Sequence, residues 1–513
     1  MPLHLIDNAT VNCATFADWA RRTDGFGLAP AALARLAADR RVVEAHLASD
    51  TPVYGLNTGL GGNLAYRLQA DEVLAFQTQL IRGRMIGMGE PLPEAVARAA
   101  LLARVMGLAR GGSGVSPAAA QALVALLDRG ITPVVPMIGT IGAGDLGLCA
   151  HLVAPVIGMG EAWYRGKRLD GAAALAEAGL APVALQAKDG LGLINASPLT
   201  AGYGALVACE LADALLLGAG IAALADEAYA ANLSVFDPRI AQARPAGQQL
   251  AVAALFRALL AGSSLYEAAP RSVQDAVSFR TEAQVFGSAY AALGLLQQAV
   301  EAEINGVADS PLVLSEGDML SSPNFHTSMV ALAFDSMAIA LCHLSAASVQ
   351  RLIKLQAPGL SGLPRYLSPA GGASVGFNAL QKTAAALHAE IRLKAAPASL
   401  DAVVVSETVE DHASHSFLCV RKLAEQLQLY RQLLAIEALV AAQGVDLRQP
   451  GRLGQGSRIL FAAVRAVVPP LEQDRPCGPD AMAVLSSLNE PSLCATLRQA
   501  LAPALGSQFS FCY

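Results

Sequence analysis

The chemistry-bearing residues of this chain sit in short polar or glycine-rich segments set into apolar sequence. The densest is PMIGTIGAGDLGLCAH at 136–151, which places four glycines between two apolar runs. Glycine serves positive φ and backbone packed where no Cβ fits. A glycine-rich turn running into an apolar segment therefore predicts a buried loop beside a site, or a helix N-terminus. It is not a phosphate loop, because no Gly-Lys-Ser/Thr follows and no strand–GxGxxG–helix pattern surrounds it. Tyr54 opens a second turn, YGLNTGLGG at 54–62, which alone reads as a surface turn. A phenol serves as a base near neutrality only where its surroundings depress its pKa. Arg82 and Arg84 lie in FQTQLIRGRMIGMGEPLP at 76–93, where arginines at a helix end are the plain reading. Asn195, in KDGLGLINASP, alone reads as a turn residue after an apolar run. Glu410-Asp411-His412 with His415 has the look of a metal motif. No further ligand cluster accompanies it, so no metal is expected. Lys382 falls in an apolar helical segment and needs a carboxylate partner. Glu410 is the candidate for that partner.

The elements that must position these residues are helical. Of 513 residues, 54% are hydrophobic and 15% charged, enough for a large core. Apolar residues recur at three- and four-residue spacing in AGYGALVACELADALLLGAGIAALADEAY and EAQVFGSAYAALGLLQQAVEAEIN, which predicts long helices from about residue 201. Residues 1–50 hold an Ala-rich helix, PAALARLAADRRVVEAHLAS. Strand signals are weak. The composition divides the chain into a loop-rich catalytic region, 1–200, and a helical bundle with C-terminal helices, 201–513. The apolar run 214–225 is twelve residues, short of the roughly 20 a membrane span needs, so buried helices are expected and no membrane. The net charge of −6 supplies no basic field for nucleic acid. Eight cysteines without a CxxC pair read as buried thiols of a reducing compartment. The N-terminus lacks the pattern of a signal peptide. Together these give a cytoplasmic expectation.

In their order along the chain, the segments resemble the signatures of the histidine and aromatic amino-acid ammonia-lyases. Their glycine-rich stretch reads roughly G-S/T-V/I-G-A-S-G-D-L-x-P-L-x-H. Gly139, Thr140, Ile141, Gly142, Ala143, Gly144, Asp145, Leu146 and His151 fall into it. The resemblance covers about residues 50–420. It implies a mainly α, fumarase/aspartase-like architecture with a long central helical bundle, and a homotetramer whose sites are each built from three subunits. It implies that Tyr54 is a catalytic acid or base near the β-carbon. Asn195 then touches the substrate carboxylate or the prosthetic group. Arg280, in VQDAVSFRTEAQVFG at 273–287, becomes the bidentate carboxylate clamp, with Gln284 near it. Asn324 and Phe325 of PNFH line the site, although a lone phenylalanine is more often core. Lys382 and Glu410 fall in the counterparts of the family's Q-x-T-A-A-A-L and Q-E-D-H motifs.

The departures point to the reaction. The family's Ala-Ser-Gly cyclises to a methylidene-imidazolone, the electrophile that captures the substrate amine. Here Ala143 is followed directly by Gly144, so the hydroxyl that would be lost is missing and no such cofactor is expected. Arg84 stands where the family has histidine, Val277 where it has tyrosine, Met106 for asparagine, Ser116 for arginine and Val409 for glutamine. Without the electrophile, only a group that leaves unaided can be eliminated. A trimethylammonium does so, and having no lone pair it could not attack the electrophile anyway. The pattern resembles the ergothionases, trimethylamine-lyase relatives of the histidine ammonia-lyases that act on a betaine, ergothioneine, to give thiourocanate. Arg280 and Asn195 would hold the carboxylate, Tyr54 would take the β-proton, and Lys382 with Glu410 would bind the thione ring. An ordinary histidine or aromatic ammonia-lyase, and a non-catalytic binding paralogue, stay open beside that reading.

Overall fold

The computed structural model describes residues 3–49, 51–63, 65–69, 71–400 and 404–505. Nearly all of its regular structure is helix, and its strands run to four residues at most. The expected helices are present as Pro30–Leu47, Pro198–Tyr229 and Glu282–Ile304, joined by two more of similar length, Ser328–Leu355 and Ser416–Arg448. Two helical stretches, Asp189–Tyr229 and Ser328–Leu355, are long and apolar enough to cross a membrane, yet 78% and 61% of their apolar windows are buried inside the protein. Burial of most of each window is the pattern of core helices, which are apolar over the faces they pack.

Contacts group the chain into two units. The first holds Met1–Cys209, Leu296–Phe334 and Pro397–Arg421, the second Glu210–Leu295, Asp335–Ala396 and Lys422–Tyr513. The composition break near 200 lies close to the first crossing, at 209–210. The later crossings fall inside or beside apolar helices, where composition does not change.

In the first unit the helix Glu94–Ala109 is buried along almost its whole length. The helix Pro198–Tyr229 lies against it at Gly202, where a Cβ would come 2.6 Å from the carbonyl carbon of Ala99. The neighbouring helix Pro117–Arg129 has clear ends. Ser116 Oγ accepts from the Ala119 amide at 3.3 Å, a side-chain cap for the first turn. Pro117 opens that turn and Gly130 closes the helix at φ 67°, the usual places for these two residues. Three short strands, Thr132–Pro133, Glu161–Tyr164 and Lys167–Asp170, form one antiparallel sheet. Its hairpin turns through Arg165 and Gly166, both at positive φ, which matches the twist of the strands.

The second unit packs aromatic rings at its centre. Phe236 stacks on Phe256 at 4.7 Å, and Phe256 meets Phe286 edge-on at 5.7 Å, the two arrangements that ring quadrupoles favour. It also buries a charged set. Arg351 Nε donates to Glu437 Oε1 at 2.5 Å and Nη2 to Oε2 at 3.1 Å, while Glu282 Oε1 lies 3.4 Å from Nη1. This two-pronged geometry is the one that keeps a buried pair tolerable. Burial, opposed by Arg351, pushes the Glu282 carboxyl up to about 8. The neighbouring Asp226 is raised as well, by burial and by Glu282, since both effects disfavour the charged form.

Candidate active site

The glycine-rich loop is the centre of the first unit's polar segments. Gly139, Gly142 and Gly144 all have positive φ. A Cβ at Gly142 would lie 2.3 Å from Ser414 Oγ and 2.8 Å from the His415 nitrogen, so only glycine fits there. Three segments far apart in sequence hold this loop. Phe325 O accepts from the Gly144 amide at 3.1 Å, Ile141 O accepts from the His415 amide at 2.8 Å, and Gly142 O accepts from Ser414 Oγ at 2.9 Å. Ala196 O accepts from the Asp145 amide at 2.8 Å. The helix Leu146–Val153 then begins, as expected of a glycine-rich turn entering an apolar run.

Asp145 is the buried acid of this loop. Its carboxylate accepts from the Thr200 amide at 2.9 Å and from the hydroxyls of Thr200 and Thr140 at 3.2 and 3.1 Å. Burial outweighs those donors and pushes its carboxyl up to about 6. Glu303, pushed up to about 7 by burial and by Asp145, lies close enough to feel its charge.

Asn195 is 5% exposed and caps the short helix Asp189–Ile194. Its Nδ2 donates to Ser310 O at 2.7 Å, which leaves its second amide hydrogen and Oδ1 for a ligand. A charged set lies behind it. Asp309 pairs with Arg104 at 2.9 Å and with Lys188 at 3.6 Å, with all three side chains 3% exposed or less. Arg104 Nε also donates to Leu193 O at 3.0 Å. Burial lowers Lys188 and raises Asp309, each against the pull of its partners. Lys188 itself stands at φ 72°, a left-handed position unusual for a side chain of its size. Motif matching alone assigns this set no task. Its signal is only a lysine, an arginine and an aspartate in otherwise apolar surroundings.

Tyr54 is 37% exposed, and its phenol oxygen accepts from the Gly61 amide at 3.3 Å. The same loop meets the Glu410 segment: a Cβ at Gly62 would lie 3.2 Å from Glu407 Oε2. Glu410 is exposed and accepts from Ser406 Oγ at 2.9 Å. Between them Ser406, Glu407 and Thr408 are all left-handed. Arg84 caps the helix Glu72–Gly83 and lines a cavity of about 690 Å³ with Leu60, Tyr66 and Phe76. Asn324 Nδ2 donates to Val307 O at 3.2 Å. Phe325 touches the loop through its backbone, whose carbonyl also accepts from Ser197 Oγ.

The second unit carries the other candidates. Arg280 Nη1 donates to Gln274 Oε1 at 2.7 Å, while its Nε and the Gln284 Oε1 are buried with no partner among the described residues. Unsatisfied buried polar atoms call for a partner, and a bound carboxylate is one that Arg280 suits. Val277 is 59% exposed. Lys382 corrects the expectation of a carboxylate partner. It is exposed, and its Nζ donates to Asn378 Oδ1 at 2.6 Å, one turn back on its own helix. A solvated ammonium needs no counter-charge, so Glu410 is not required to neutralise it. Among the described residues no group of three His, Cys, Asp or Glu side chains is placed to hold a metal ion. His412 is instead bonded to His326.

Residues 11–466 match the family described as aromatic amino acid lyase. The histidine ammonia-lyase of Stigmatella aurantiaca is 40% identical, covering 96% of this chain and 98% of its own. The ergothionase of Treponema denticola, an ergothioneine-degrading enzyme solved with desmethyl-ergothioneine sulfonic acid, superposes with a TM-score of 0.92. It is 28% identical, and the match covers 96% of this chain and 99% of that one. The histidine ammonia-lyase of Trypanosoma cruzi superposes at 0.90 with 30% identity, over 100% and 98% of the two chains.

Proposed function

This chain belongs to the aromatic amino acid lyase family, a family of carbon–nitrogen lyases, and we propose that within it the chain eliminates trimethylamine from ergothioneine to give thiourocanate, without a methylidene-imidazolone. The observation that carries this reading is the direct Ala143–Gly144 peptide. The methylidene is the middle residue's Cβ after its hydroxyl has left as water, and here the residue that precedes the Gly144 amide is Ala143, whose methyl has no hydroxyl to lose. The same amide hydrogen is given to Phe325 O. The elimination therefore proceeds without such a group. The likeness to the Treponema denticola ergothionase supports the same reading.

In this reading Arg280 and Asn195 bind the carboxylate through the guanidinium Nε and the free amide hydrogen. Tyr54 takes the β-proton, and the Gly61 N–H aimed at its oxygen steadies the charge that the phenol gains or loses. The C–H electron pair becomes the Cα=Cβ bond as the Cα–N bond breaks, and the electrons of that bond leave with nitrogen as neutral trimethylamine. Lys382 and Glu410 bind the thione ring and take up the charge that spreads into it. Arg84, Gln284, Asn324 and Phe325 complete the walls. The enzyme works as a cytoplasmic homotetramer with shared sites. Met329, Leu332 and Ile339 are exposed at helical spacing on Ser328–Leu355. An exposed apolar stripe of this kind supports association through that helix.

The deciding experiment incubates the protein with ergothioneine, histidine, histidine betaine and tyrosine, and follows ultraviolet absorbance with trimethylamine and ammonia release. Trimethylamine from ergothioneine alone is the expected result. Ammonia from histidine, the activity named for the 40% identical relative, would overturn it. Silence on every substrate would favour a binding paralogue.

A further inference from the structure

We infer that the hydrogen-bonded pair His326–His412 is a positioning latch for Glu410, closed while the pair carries at most one added proton. The inference rests on the reading of Glu410 as a group that acts on the substrate ring. His326 Nε2 and His412 Nδ1 are 3.0 Å apart, with ring centroids at 4.9 Å and planes tilted by 46°. Each imidazole stands on one of the two segments that clamp the glycine-rich loop. His326 forms an isolated antiparallel bridge with Ala143 and follows Phe325, whose carbonyl holds Gly144. His412 is two residues before Ser414, which holds Gly142, and two residues after Glu410. Beyond this pair the segments are joined again by Thr327 Oγ1 and Ser416 Oγ at 2.6 Å. On the other side, among the described residues, Glu410 is held by the Ser406 hydroxyl and the Val405 bridge, both within its own exposed turn. The imidazole bond is thus the last tie to the clamped loop before the chain reaches Glu410.

The bond responds to protons in steps. In the neutral pair one ring N–H donates to the other ring's lone pair. One added proton leaves a donor and an acceptor in place. A second puts hydrogens on both facing nitrogens at 3.0 Å, and attraction becomes repulsion. Burial, and then the neighbouring His412 ring, lowers His326 from the ordinary histidine value, so a charge on its ring is disfavoured there. The titratable groups nearest in the same segments are Glu410, Asp411 and His415 beside His412 and Asp145 in the clamped loop, whose charge reaches Glu303. No charge other than that of His412 contributes to the shift of His326. Asp145 and Glu303 titrate in the same range, so the test must separate them from the pair.

The test compares wild type with His326→Gln, His412→Asn and His412→Ala from pH 5 to 9. The two amides place a nitrogen or oxygen near the bonded ring atom and do not titrate. Trimethylamine release from ergothioneine gives kcat and KM. Hydrogen exchange of the peptide covering 404–412, compared between proteins at the same pH, reads the latch without the reaction. Both amide variants are expected to keep kcat near wild type at pH 8 and to lose the acid limb below about pH 6.5. They should also show no acid-induced rise in exchange over wild type's neutral behaviour. His412→Ala should lose about tenfold in kcat at pH 8, where the wild-type latch is closed, the value of one lost bond, with a smaller change in KM and a difference from wild type that shrinks in acid. An acid limb that survives in both amide variants belongs to Asp145 or Glu303 and overturns the latch. So does unaltered kcat in His412→Ala, or exchange at 404–412 that ignores both pH and substitution. If the alanine variant does not fold, the two amides decide alone. Absence of trimethylamine from wild type refutes the proposed reaction, and the exchange arm still decides the latch.

Discussion

Replacing Asp309 by asparagine tests the claim that the charged set behind Asn195 holds that residue in place. The carboxylate is fully buried, 2.9 Å from Arg104 Nη2 and 3.6 Å from Lys188 Nζ. Asparagine keeps the shape, so no cavity opens and the loss is electrostatic. Asp39 is the other carboxylate acting on Lys188, so the set now balances two cations with two anions. The variant leaves two buried cations and one anion. Removing one partner of a buried pair costs about 3–5 kcal/mol, and we expect that range at pH 7. Burial already favours the neutral form of Lys188, and losing Asp309 favours it further. The cost should therefore shrink as pH rises and Lys188 gives up its proton. Adding Lys188→Met to Asp309→Asn should recover much of the stability, because it removes the unbalanced cation. Guanidinium unfolding at pH 7 and pH 9.5 measures all three proteins. A loss below about 1 kcal/mol for Asp309→Asn, against the range expected for a buried pair, would refute the reasoning. So would a double variant no more stable than the single one. Because Ser310 O is the acceptor for Asn195 Nδ2, kcat/KM should fall in the folded fraction of Asp309→Asn as well.

Three other outcomes follow from single sites. Lys382 is exposed and bonded to Asn378 on its own helix. Lys382→Met should therefore cut turnover on ergothioneine heavily yet leave stability within about 0.5 kcal/mol, as surface substitutions do; near-wild-type kcat would remove its proposed role. Glu282 is raised to about 8, mainly by burial. Folded, it holds a proton that the unfolded chain releases at about pH 4.3. Stability should accordingly fall as pH rises from about 5 to 8, and Glu282→Gln, neutral throughout, should flatten that slope in thermal unfolding; parallel curves would contradict it. Gly142→Ala puts a methyl 2.3 Å from Ser414 Oγ at φ 84°. Left-handed strain alone costs about 1–2 kcal/mol, so Tm should drop and turnover with it, and adding Ser414→Ala should restore part of both.

What was legible in the sequence depends on how far apart in the chain each interaction reaches. The long helices were legible because their apolar spacing repeats within a few residues, and Pro198–Tyr229 and Glu282–Ile304 lie where it places them. The glycine-rich loop was legible as a buried turn, because several glycines with an aspartate before an apolar run admit few alternatives. Partnerships were not. Asp309 meets Arg104 across 205 positions, and no local pattern marks which buried charge answers which. The assignment of Glu410 to Lys382 shows the same limit from the other side. It assumed that a lysine in an apolar helix is buried, whereas the helix Asn378–Lys394 leaves Lys382 on its solvent face and Asn378, four residues back, supplies the bond. The sequence points to the ring of Phe325, yet its carbonyl makes the contacts, to Gly144 and Ser197.

These cases share one cause. Side-chain identity is written in the sequence, but whether a group is wet or dry, and so whether it needs a partner, is settled by tertiary packing. The missing serine escapes that limit, because what is absent is covalent. With Ala143 joined directly to Gly144, no hydroxyl stands at that position to be lost as water, whatever the packing around the loop.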